Sequence, residues 1–210
     1  MVVINVIKKL LPLKWQLKLQ YLKMAKCATL HGTGHFFDVN SNIALLWGSS
    51  KDDVILNDHS ELMGNILSYN HGKVTLGEWA KVGKHCRINC VNSITIGADT
   101  AIADYVIIVD HNFHPNNPDD RRYMRHTPHG SRERTPMYSA NAPIVIGKNV
   151  MIGNYVRICK GVTIGDNSVI GANSIVTKDV PANCIAVGNP AHVVKTDIDK
   201  NTKSIFPLHD

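Results

Sequence analysis

The sequence predicts an all-β protein built as a parallel β-helix, and a strict internal repeat carries this prediction. From Ile146 to Pro181 the chain divides into six consecutive six-residue units: "IGKNVM", "IGNYVR", "ICKGVT", "IGDNSV", "IGANSI" and "VTKDVP". The first residue of every unit is Ile or Val. A constant six-residue period without hairpin turn signals is typical of a β-helix and not of a β-sandwich.

Each position of the unit has a predicted place in the coil. The first position should point inward, so that stacked coils bury a column of Ile and Val. The second position is Gly in four of the six units, and we expect Gly or Asn to accept the unfavourable backbone at the corners. The fifth position is small or β-branched throughout: Val150, Val156, Val162, Ser168, Ser174 and Val180.

The same period appears earlier in the chain and weakens toward the N-terminus. It runs through "LGEWAK", "VGKHCR" and "INCVNS", then shifts phase by two residues and continues through "IGADTA", "IADYVI" and "IVDHNF". The segment "VILNDHSELMGNILSYNHGKVTLG" resembles one or two degenerate coils. We therefore assign a β-helix domain to residues 29–195 and a C-terminal tail to residues 196–210.

Residues 1–28 are predicted to form a separate amphipathic segment, interrupted at Pro12. Apolar residues are mixed with five lysines between Met1 and Met24, and neither a secretory signal nor a membrane span is expected. The segment either packs on the domain, which we favour, or makes a peripheral contact with an anionic membrane surface. From Leu13 to Tyr21 the alternation suits a strand while the residue types suit a helix, so both alternatives stay open.

Composition limits the classes of partner. With 44% apolar and 19% charged residues, the chain is expected neither to be disordered nor to form a membrane bundle. The net charge of +6 favours anionic partners, but no nucleic-acid recognition motif is present, so no nucleic-acid partner is expected. Five scattered cysteines suggest neither disulfides nor a zinc site, which favours a cytoplasmic location, including the inner face of the membrane.

One long interruption breaks the repeat between Ile108 and Ile144. The inserted loop, about residues 112–143, begins within the sequence "DHNFH" and carries five arginines. A long loop within a compact domain is usually functional. The arginines either recognise a diphosphate or an acidic saccharide, or pair with the acidic residues of the same loop. The loop's charged residues are Arg121, Arg122, Arg125, Arg132, Arg134, Asp119, Asp120 and Glu133.

The chain from Val74 to Lys195 resembles the hexapeptide-repeat acyltransferases, among them the maltose- and galactoside-type sugar O-acetyltransferases and the polysaccharide O-acetyltransferases. The most specific part is "PIVIGKNVMIGNYVRICKGVTIGDNSVIGANSIVTKDVPANCIAVGNPAHVVK". The resemblance implies a left-handed β-helix, a homotrimer with active sites between subunits, and acetyl-CoA as co-substrate, with no metal. It also implies a sugar hydroxyl as acceptor, and we expect this hydroxyl to belong to a surface polysaccharide or its precursor.

The resemblance further implies a general base at His111. In the family the base is a His at the strand end where the long loop leaves, and "VDH" at Val109 to His111 matches that context. An imidazole suits the task because its ordinary pKa lies near neutrality. His114 matches a second His found in some members, and either orients substrate, ligates a metal or is a surface residue. Asp110 is counted with the substrate-binding residues, and its carboxylate either holds the imidazole or caps a turn.

Other positions match the family's binding residues. On the acceptor side are Asn89, Met151, where the family often has Trp, and Asn154, where the galactoside enzymes have Ser. For the co-substrate, Ala172 and Thr177 match contacts to the pantetheine arm, and Lys178 matches a contact to the nucleotide phosphates. His192 and Lys195 match two late basic positions.

Three other functions remain as alternatives. The first is N-acetylation of a nucleotide-linked amino sugar, or acetylation of an antibiotic. The second is a metal hydratase similar to the γ-class carbonic anhydrases, with His85, His111 and His114 as ligands, although their spacing is wrong for that family. The third is a non-catalytic trimeric scaffold, in which the histidine-bearing loop would have no purpose.

Overall fold

The computed structural model describes residues 11–201, which form the predicted left-handed parallel β-helix. Each coil contributes one short strand to each of three parallel sheets, the sides of a triangular prism. The first sheet contains β1 (Thr29–Leu30), β4 (Val54–Leu56), β7 (Lys73–Leu76), β10 (Ser93–Ile96), β13 (Ile144–Ile146) and β16 (Thr163–Ile164). The second contains β2 (Phe36–Phe37), β5 (Glu61–Leu62), β8 (Lys81–Val82), β11 (Ala101–Ile102), β14 (Met151–Ile152), β17 (Val169–Ile170), β19 (Ile185–Gly188) and β20 (Ala191–Lys195).

The third sheet positions the candidate site. It contains β3 (Asn42–Leu46), β6 (Asn65–Tyr69), β9 (Arg87–Cys90), β12 (Ile107–Val109), β15 (Arg157–Ile158) and β18 (Ile175–Val176). Because its strands are all parallel, their carboxyl ends share one edge, here called the C-terminal edge, and their amino ends share the N-terminal edge. In the described chain the one antiparallel pair of strands is β19 with β20.

The interior confirms the predicted column of aliphatic side chains. The first positions of the six units, from Ile146 to Val176, are each at most 1% exposed and belong to one core cluster. The fifth positions are buried as well, including Ser168 and Ser174. Burying such side chains stabilises the fold by roughly 1.5–3 kcal/mol each.

The corners correct the role predicted for the glycines. Left-handed φ values fall on the fourth position of the unit, as at Asn149 (52°) and Asn167 (59°), and not on the Gly at the second position. The Gly at the second position allows the backbones of adjacent coils to lie close together. A Cβ on Gly153 would lie 2.6 Å from the amide nitrogen of Ala172 on the next coil. The corner asparagines form a ladder, in which Asn149 Nδ2 donates to Asn167 Oδ1 at 3.0 Å.

Residues 13–28 contain α1 (Leu13–Met24), so the helical alternative is the one observed. Gln20 and Met24 are buried, and Gln20 Nε2 donates to the carbonyl of Ser41 at 2.6 Å. Leu13, Leu19 and Leu22 are exposed, so the predicted amphipathic character is not confirmed. Residues 1–10 of this segment and residues 202–210 of the predicted tail lie outside the described residues. Within residues 11–201 no helix has the length and apolar character that crossing a bilayer requires.

The inserted loop leaves the β-helix and returns to it at the same place. The amide of Asn112 donates to the carbonyl of Ala140 at 3.0 Å, and the amide of Ala142 donates to the carbonyl of Asp110 at 2.9 Å. Between these bonds lies an antiparallel bridge of His111 with Asn141. The loop contains α2 (Pro118–His126) and the 3₁₀ turns Arg132–Arg134 and Pro136–Tyr138, while α3 (Ile198–Asn201) follows β20.

Candidate active site

His111 lies at the C-terminal edge of the third sheet, at the neck of the inserted loop. Its side chain is 4% exposed. Nδ1 accepts a hydrogen bond from the backbone N–H of Phe113 at 3.0 Å, whereas Nε2 has no hydrogen-bond partner among residues 11–201. Because Nδ1 is an acceptor, the neutral ring carries its proton on Nε2. The partnerless Nε2 is therefore free to bind a group that enters from outside.

Phe113 positions this imidazole, and it was missed by the sequence reasoning. Its φ is 64°, a left-handed value like those at the corners of the β-helix, and such a conformation is costly for a residue other than Gly. The amide of His114 closes the turn by donating to the carbonyl of Asn112 at 2.8 Å. The Phe113 ring packs edge-on against His111, with centroids 4.5 Å apart. The only signal in the sequence is an apolar residue between two histidines.

Burial lowers the pKa of His111 to about 4. Removing an imidazole from water penalises its charged form, and no nearby carboxylate offsets that effect. The ring is therefore neutral at pH 7 in this chain.

A cleft of about 140 Å³ adjoins His111. Its walls come from the neck of the loop and from the neighbouring coil: Val109, His111, Asn112, Phe113, Arg157, Cys159 and Lys160. Arg157 lies on β15, which pairs in register with β12, and Lys160 follows that strand. Sequence reasoning named neither cation. Their alignment beside His111 depends on the register across the inserted loop, which the period alone does not give.

Asp110 has a structural role, and the predicted contact with substrate does not fit its surroundings. The carboxylate is fully buried, and it accepts hydrogen bonds from the amides of Val91 (2.9 Å) and Asn92 (2.8 Å). Burial raises its pKa, while those amides oppose the rise. The carboxylate thus ties the end of β12 to the turn after β9, and it supports the His111 backbone without touching the ring.

Asn89 lies on the same outer face of the third sheet as His111. It pairs in register with Val109, and its neighbours Ile88 and Cys90 belong to the core, so the Asn89 side chain points outward. The residue is 2% exposed, yet Oδ1 has no hydrogen-bond partner in the described part of the chain. Buried polar atoms are normally paired, so Asn89 Oδ1 and His111 Nε2 are two exceptions on one face.

His114 is exposed and lies outside the His111 cleft. It lines a separate pocket of about 130 Å³ with Arg121, Met124, Arg125 and Arg134. The structure thus gives His114 a place beside the loop's cations and not beside the imidazole of His111.

The residues matched to the co-substrate do not converge within one chain. Thr177 and Lys178 follow β18, which pairs with β15, so they lie on the coil next to Cys159 and Lys160 at the C-terminal edge. Ala172 lies at the opposite, N-terminal edge of the third sheet. The remaining pair, His192 and Lys195, is exposed on β20 of the second sheet.

Met151 and Asn154 are likewise distant from His111 along the coil. Met151 is 59% exposed on β14 of the second sheet. Asn154 lies at the N-terminal edge, where its Oδ1 accepts a hydrogen bond from the amide of Asp104 at 3.0 Å. A single chain therefore does not bring these two acceptor-side residues to the His111 cleft.

The three histidines of the metal-hydratase alternative do not meet. His85 stacks on Tyr105 at 4.7 Å, at the N-terminal edge, whereas His111 lies at the C-terminal edge. Across residues 11–201 no three His, Cys, Asp or Glu side chains are placed to hold a metal ion together. Within one chain, the geometry does not bring that ligand set together.

Comparison with known protein families supports the six-residue repeat read from the sequence. Residues 143–178 match the family described as bacterial transferase hexapeptide (six repeats). The chain carries the bacterial transferase hexapeptide repeat. This hexapeptide-repeat chain is 45% identical over 78 residues to galactoside O-acetyltransferase of Escherichia coli K12, covering 37% of each chain. It is 32% identical over 139 residues to a protein of the same organism named for lipopolysaccharide biosynthesis O-acetyl transfer, WbbJ, covering 61% of this chain and 63% of that one. The matches thus span less than two thirds of these relatives.

Solved structures resemble the hexapeptide-repeat chain as a whole. A galactoside acetyltransferase in complex with coenzyme A has a TM-score of 0.53 and 27% identity, and the match covers 84% of this chain and 69% of that one. AntD, an N-acyltransferase from Bacillus cereus, has a TM-score of 0.65 with 18% identity, covering 82% and 87%. The second likeness concerns the fold alone.

Proposed function

We propose that this protein is an acetyl-CoA-dependent O-acetyltransferase that acts on a sugar hydroxyl of a surface polysaccharide or its precursor. The observation that carries the proposal is His111, a buried neutral imidazole with a partnerless Nε2, lining a cleft at the edge where Thr177 and Lys178 lie on the next coil. The named activities of the galactoside and lipopolysaccharide relatives support it.

In the proposed reaction, His111 Nε2 takes the proton of the acceptor hydroxyl while the hydroxyl oxygen attacks the thioester carbonyl. The carbon–sulfur bond then breaks, and the imidazolium returns its proton to the departing CoA thiolate. A backbone amide, helped by Asn154, stabilises the oxyanion. Asn89 holds the acceptor through its amide. No acyl-enzyme forms, because both substrates occupy the site together.

The hydrogen bond to Phe113 sets a condition on this mechanism. Nε2 accepts a proton only when its own proton has moved to Nδ1, and Nδ1 then cannot accept from the Phe113 amide. Substrate binding must therefore rearrange the turn at residues 112–114 and give Nδ1–H a new acceptor. The left-handed φ of Phe113 suits such a rearrangement, because Phe113 leaves that unfavourable conformation when the turn opens.

We propose that a homotrimer completes the site. His111, Thr177 and Lys178 lie at the C-terminal edge of the third sheet, whereas Asn154 and Ala172 lie at the N-terminal edge. If the C-terminal edge of one subunit faces the N-terminal edge of its neighbour, both sets line one cleft, with Met151, His192 and Lys195 beside it. Light scattering should give a mass of three chains, and a fully active monomer would contradict the arrangement.

The cysteines fit the proposed cytoplasmic location. All five are unpaired: Cys27, Cys86, Cys90, Cys159 and Cys184. Burial raises the pKa of Cys86 to about 11, so this thiol is an unreactive core residue.

Two measurements test the proposed function. Calorimetry should detect binding of coenzyme A to the folded protein, and thiol release from acetyl-CoA should depend on an added acceptor from a panel of neutral sugars, acidic glycans and nucleotide-linked amino sugars. Mild alkali applied to the product distinguishes O-acetyl esters, which hydrolyse, from N-acetyl amides, which persist. Well-folded protein that does not bind coenzyme A would contradict the proposal.

A further inference from the structure

Helix α2 of the inserted loop presents a continuous basic face. Arg121 and Arg125 are four residues apart and therefore neighbours on the helix surface, and Arg122 and His126 form the adjacent row. All four side chains are exposed. They line two adjoining pockets that share Arg121 and Arg125.

No carboxylate neutralises this face. Among residues 11–201, the loop arginines have no carboxylate oxygen within 4.0 Å, so the predicted alternative of internal ion pairs is not observed. Asp120 and Glu133 line a different pocket, which also contains Tyr123 and Tyr138. Two of the loop's three acidic residues thus line a pocket different from those of the arginines.

Arg134 differs from the arginines of the helix. Its Nε donates to the carbonyl of Met124 at 3.1 Å, and its guanidinium also contacts the carbonyl of Arg125. These bonds close the last turn of α2, where a cation is favourable to the helix dipole. Arg134 thus holds the helix in place. Arg121 also donates from Nη1 to the backbone carbonyls of Pro115 (3.5 Å) and Asn116, and its remaining N–H groups, like those of Arg122 and Arg125, are available to a ligand.

The basic face costs the helix stability. Like charges at the spacing of Arg121 and Arg125 destabilise a helix. Asn117 offsets this cost, because its Oδ1 accepts hydrogen bonds from the amides of Asp119 (2.8 Å) and Asp120 (3.3 Å). A basic face that lowers helix stability and has no carboxylate partner among residues 11–201 indicates an external anionic ligand.

The basic face begins at the residue next to the His111 cleft. Phe113 lines the cleft, and His114, the next residue, lines the pocket formed by Arg121 and Arg125. On its far side the cleft carries Arg157 and Lys160. A ligand that occupies the cleft and extends along the loop therefore meets cations at both ends.

We propose that the acceptor is an anionic saccharide, with its hydroxyl at His111 and its anionic group on Arg121, Arg122 and Arg125. Guanidinium groups bind carboxylates and phosphates through paired hydrogen bonds, so the anion is either a sugar carboxylate or the diphosphate of a carrier. The placement of the hydroxyl at His111 rests on the proposed function, whereas the binding of the anionic group to the arginines does not.

Calorimetry with defined ligands tests this inference without any turnover. The ligands are an oligogalacturonate, the neutral oligogalactose of equal length, UDP-galactose and a short single-stranded DNA. The variant R121Q/R122Q/R125Q removes three charges from the basic face. The control variant K26Q/K51Q/K73Q removes three charges from exposed lysines elsewhere on the β-helix.

We expect oligogalacturonate or UDP-galactose to bind more tightly than oligogalactose, and the arginine variant to weaken that binding by about tenfold or more. Whichever anion binds more tightly identifies the carboxylate or the diphosphate as the recognised group. Added salt should weaken the binding in the wild type, because exposed charges are screened. The lysine control should bind as the wild type does.

Binding of neutral oligogalactose as tight as that of both oligogalacturonate and UDP-galactose would overturn the inference, as would equal losses in the two triple variants. Stronger binding of DNA than of either saccharide would assign the face to nucleic acid and also overturn it. These outcomes are independent of the proposed function, because coenzyme A binding and acetylation of neutral sugars are measured separately.

Discussion

The backbone N–H of Phe113 donates to Nδ1 of His111 at 3.0 Å, while His111 Nε2 remains buried without a partner in the described chain. Two residues of one tight turn thus fix the tautomer of the proposed base. Before substrates bind, the ring can donate from Nε2 but cannot accept a proton there.

Nitrogen NMR should detect this tautomer directly. In free protein at pH 7, the His111 ring should be neutral with the proton on Nε2. Addition of coenzyme A together with a productive acceptor should shift the population toward the proton on Nδ1. A free protein already protonated on Nδ1 would contradict the proposed rearrangement of residues 112–114.

The pH dependence of stability should report the burial of His111. Burial lowers its pKa in the folded state to about 4 from the ordinary value of 6.5, so the unfolded chain binds more protons between these values. The free energy of unfolding should therefore fall as the pH decreases from about 6.5 toward 4. Urea unfolding at about pH 7 and about pH 4.5 should show a loss that is larger by about 2 kcal/mol in the wild type than in His111→Gln.

The His111→Gln comparison cancels the contribution of His35, whose pKa is also lowered by burial and which both proteins retain. Identical pH slopes in the two proteins would mean that His111 is not buried in solution.

Much of this fold could be predicted from the sequence because both the spacing and the type of residue recur in the repeat. Ile146, Ile152 and Ile158 occupy equivalent positions of successive coils, so one period fixes which side chains are buried. The glycines could not be assigned correctly in the same way. Whether Gly153 serves a positive φ or a close approach depends on how far the next coil lies, and that distance is a tertiary property.

The candidate site was only partly predictable. His111 stands at a break in the repeat, which is a signal in the sequence itself. Phe113 acts through its backbone amide, and any residue type supplies an amide, so composition did not point to it. The carboxylate of Asp110, next to His111 in the sequence, suggests a functional role. In the structure it instead accepts hydrogen bonds from the amides of Val91 and Asn92 on the preceding coil.

Asp110→Ala should destabilise the fold. The substitution leaves the amides of Val91 and Asn92 without their acceptor, and each unsatisfied buried donor costs about 1–3 kcal/mol. Urea unfolding should show this loss, while Glu78→Ala, which removes an exposed carboxylate, should change stability by less than about 0.5 kcal/mol. An unchanged stability in Asp110→Ala would contradict the structural role of this carboxylate.

Gly153→Ala and Gly171→Ala should differ although both alter the second position of a unit. A Cβ on Gly153 meets backbone atoms of Ala172 at 2.6 and 2.9 Å, whereas a Cβ on Gly171 meets at 2.6 Å only a methyl of the partly exposed Val187. Since a side chain moves aside more easily than backbone, Gly153→Ala should cost about 1–3 kcal/mol and Gly171→Ala less. Thermal unfolding of the two variants side by side tests this, and the reverse order would contradict the observed stacking.

The turnover number of His111→Ala tests the central claim most directly. General-base catalysis contributes on the order of a hundred- to ten-thousand-fold in rate, so kcat for acetyl transfer should fall by about that factor. Coenzyme A affinity and assembly should stay near wild type. His114→Ala, whose exposed side chain lies in the neighbouring pocket, should lose far less. A His111→Ala variant that is folded, binds coenzyme A and transfers acetyl groups at the wild-type rate would contradict the account.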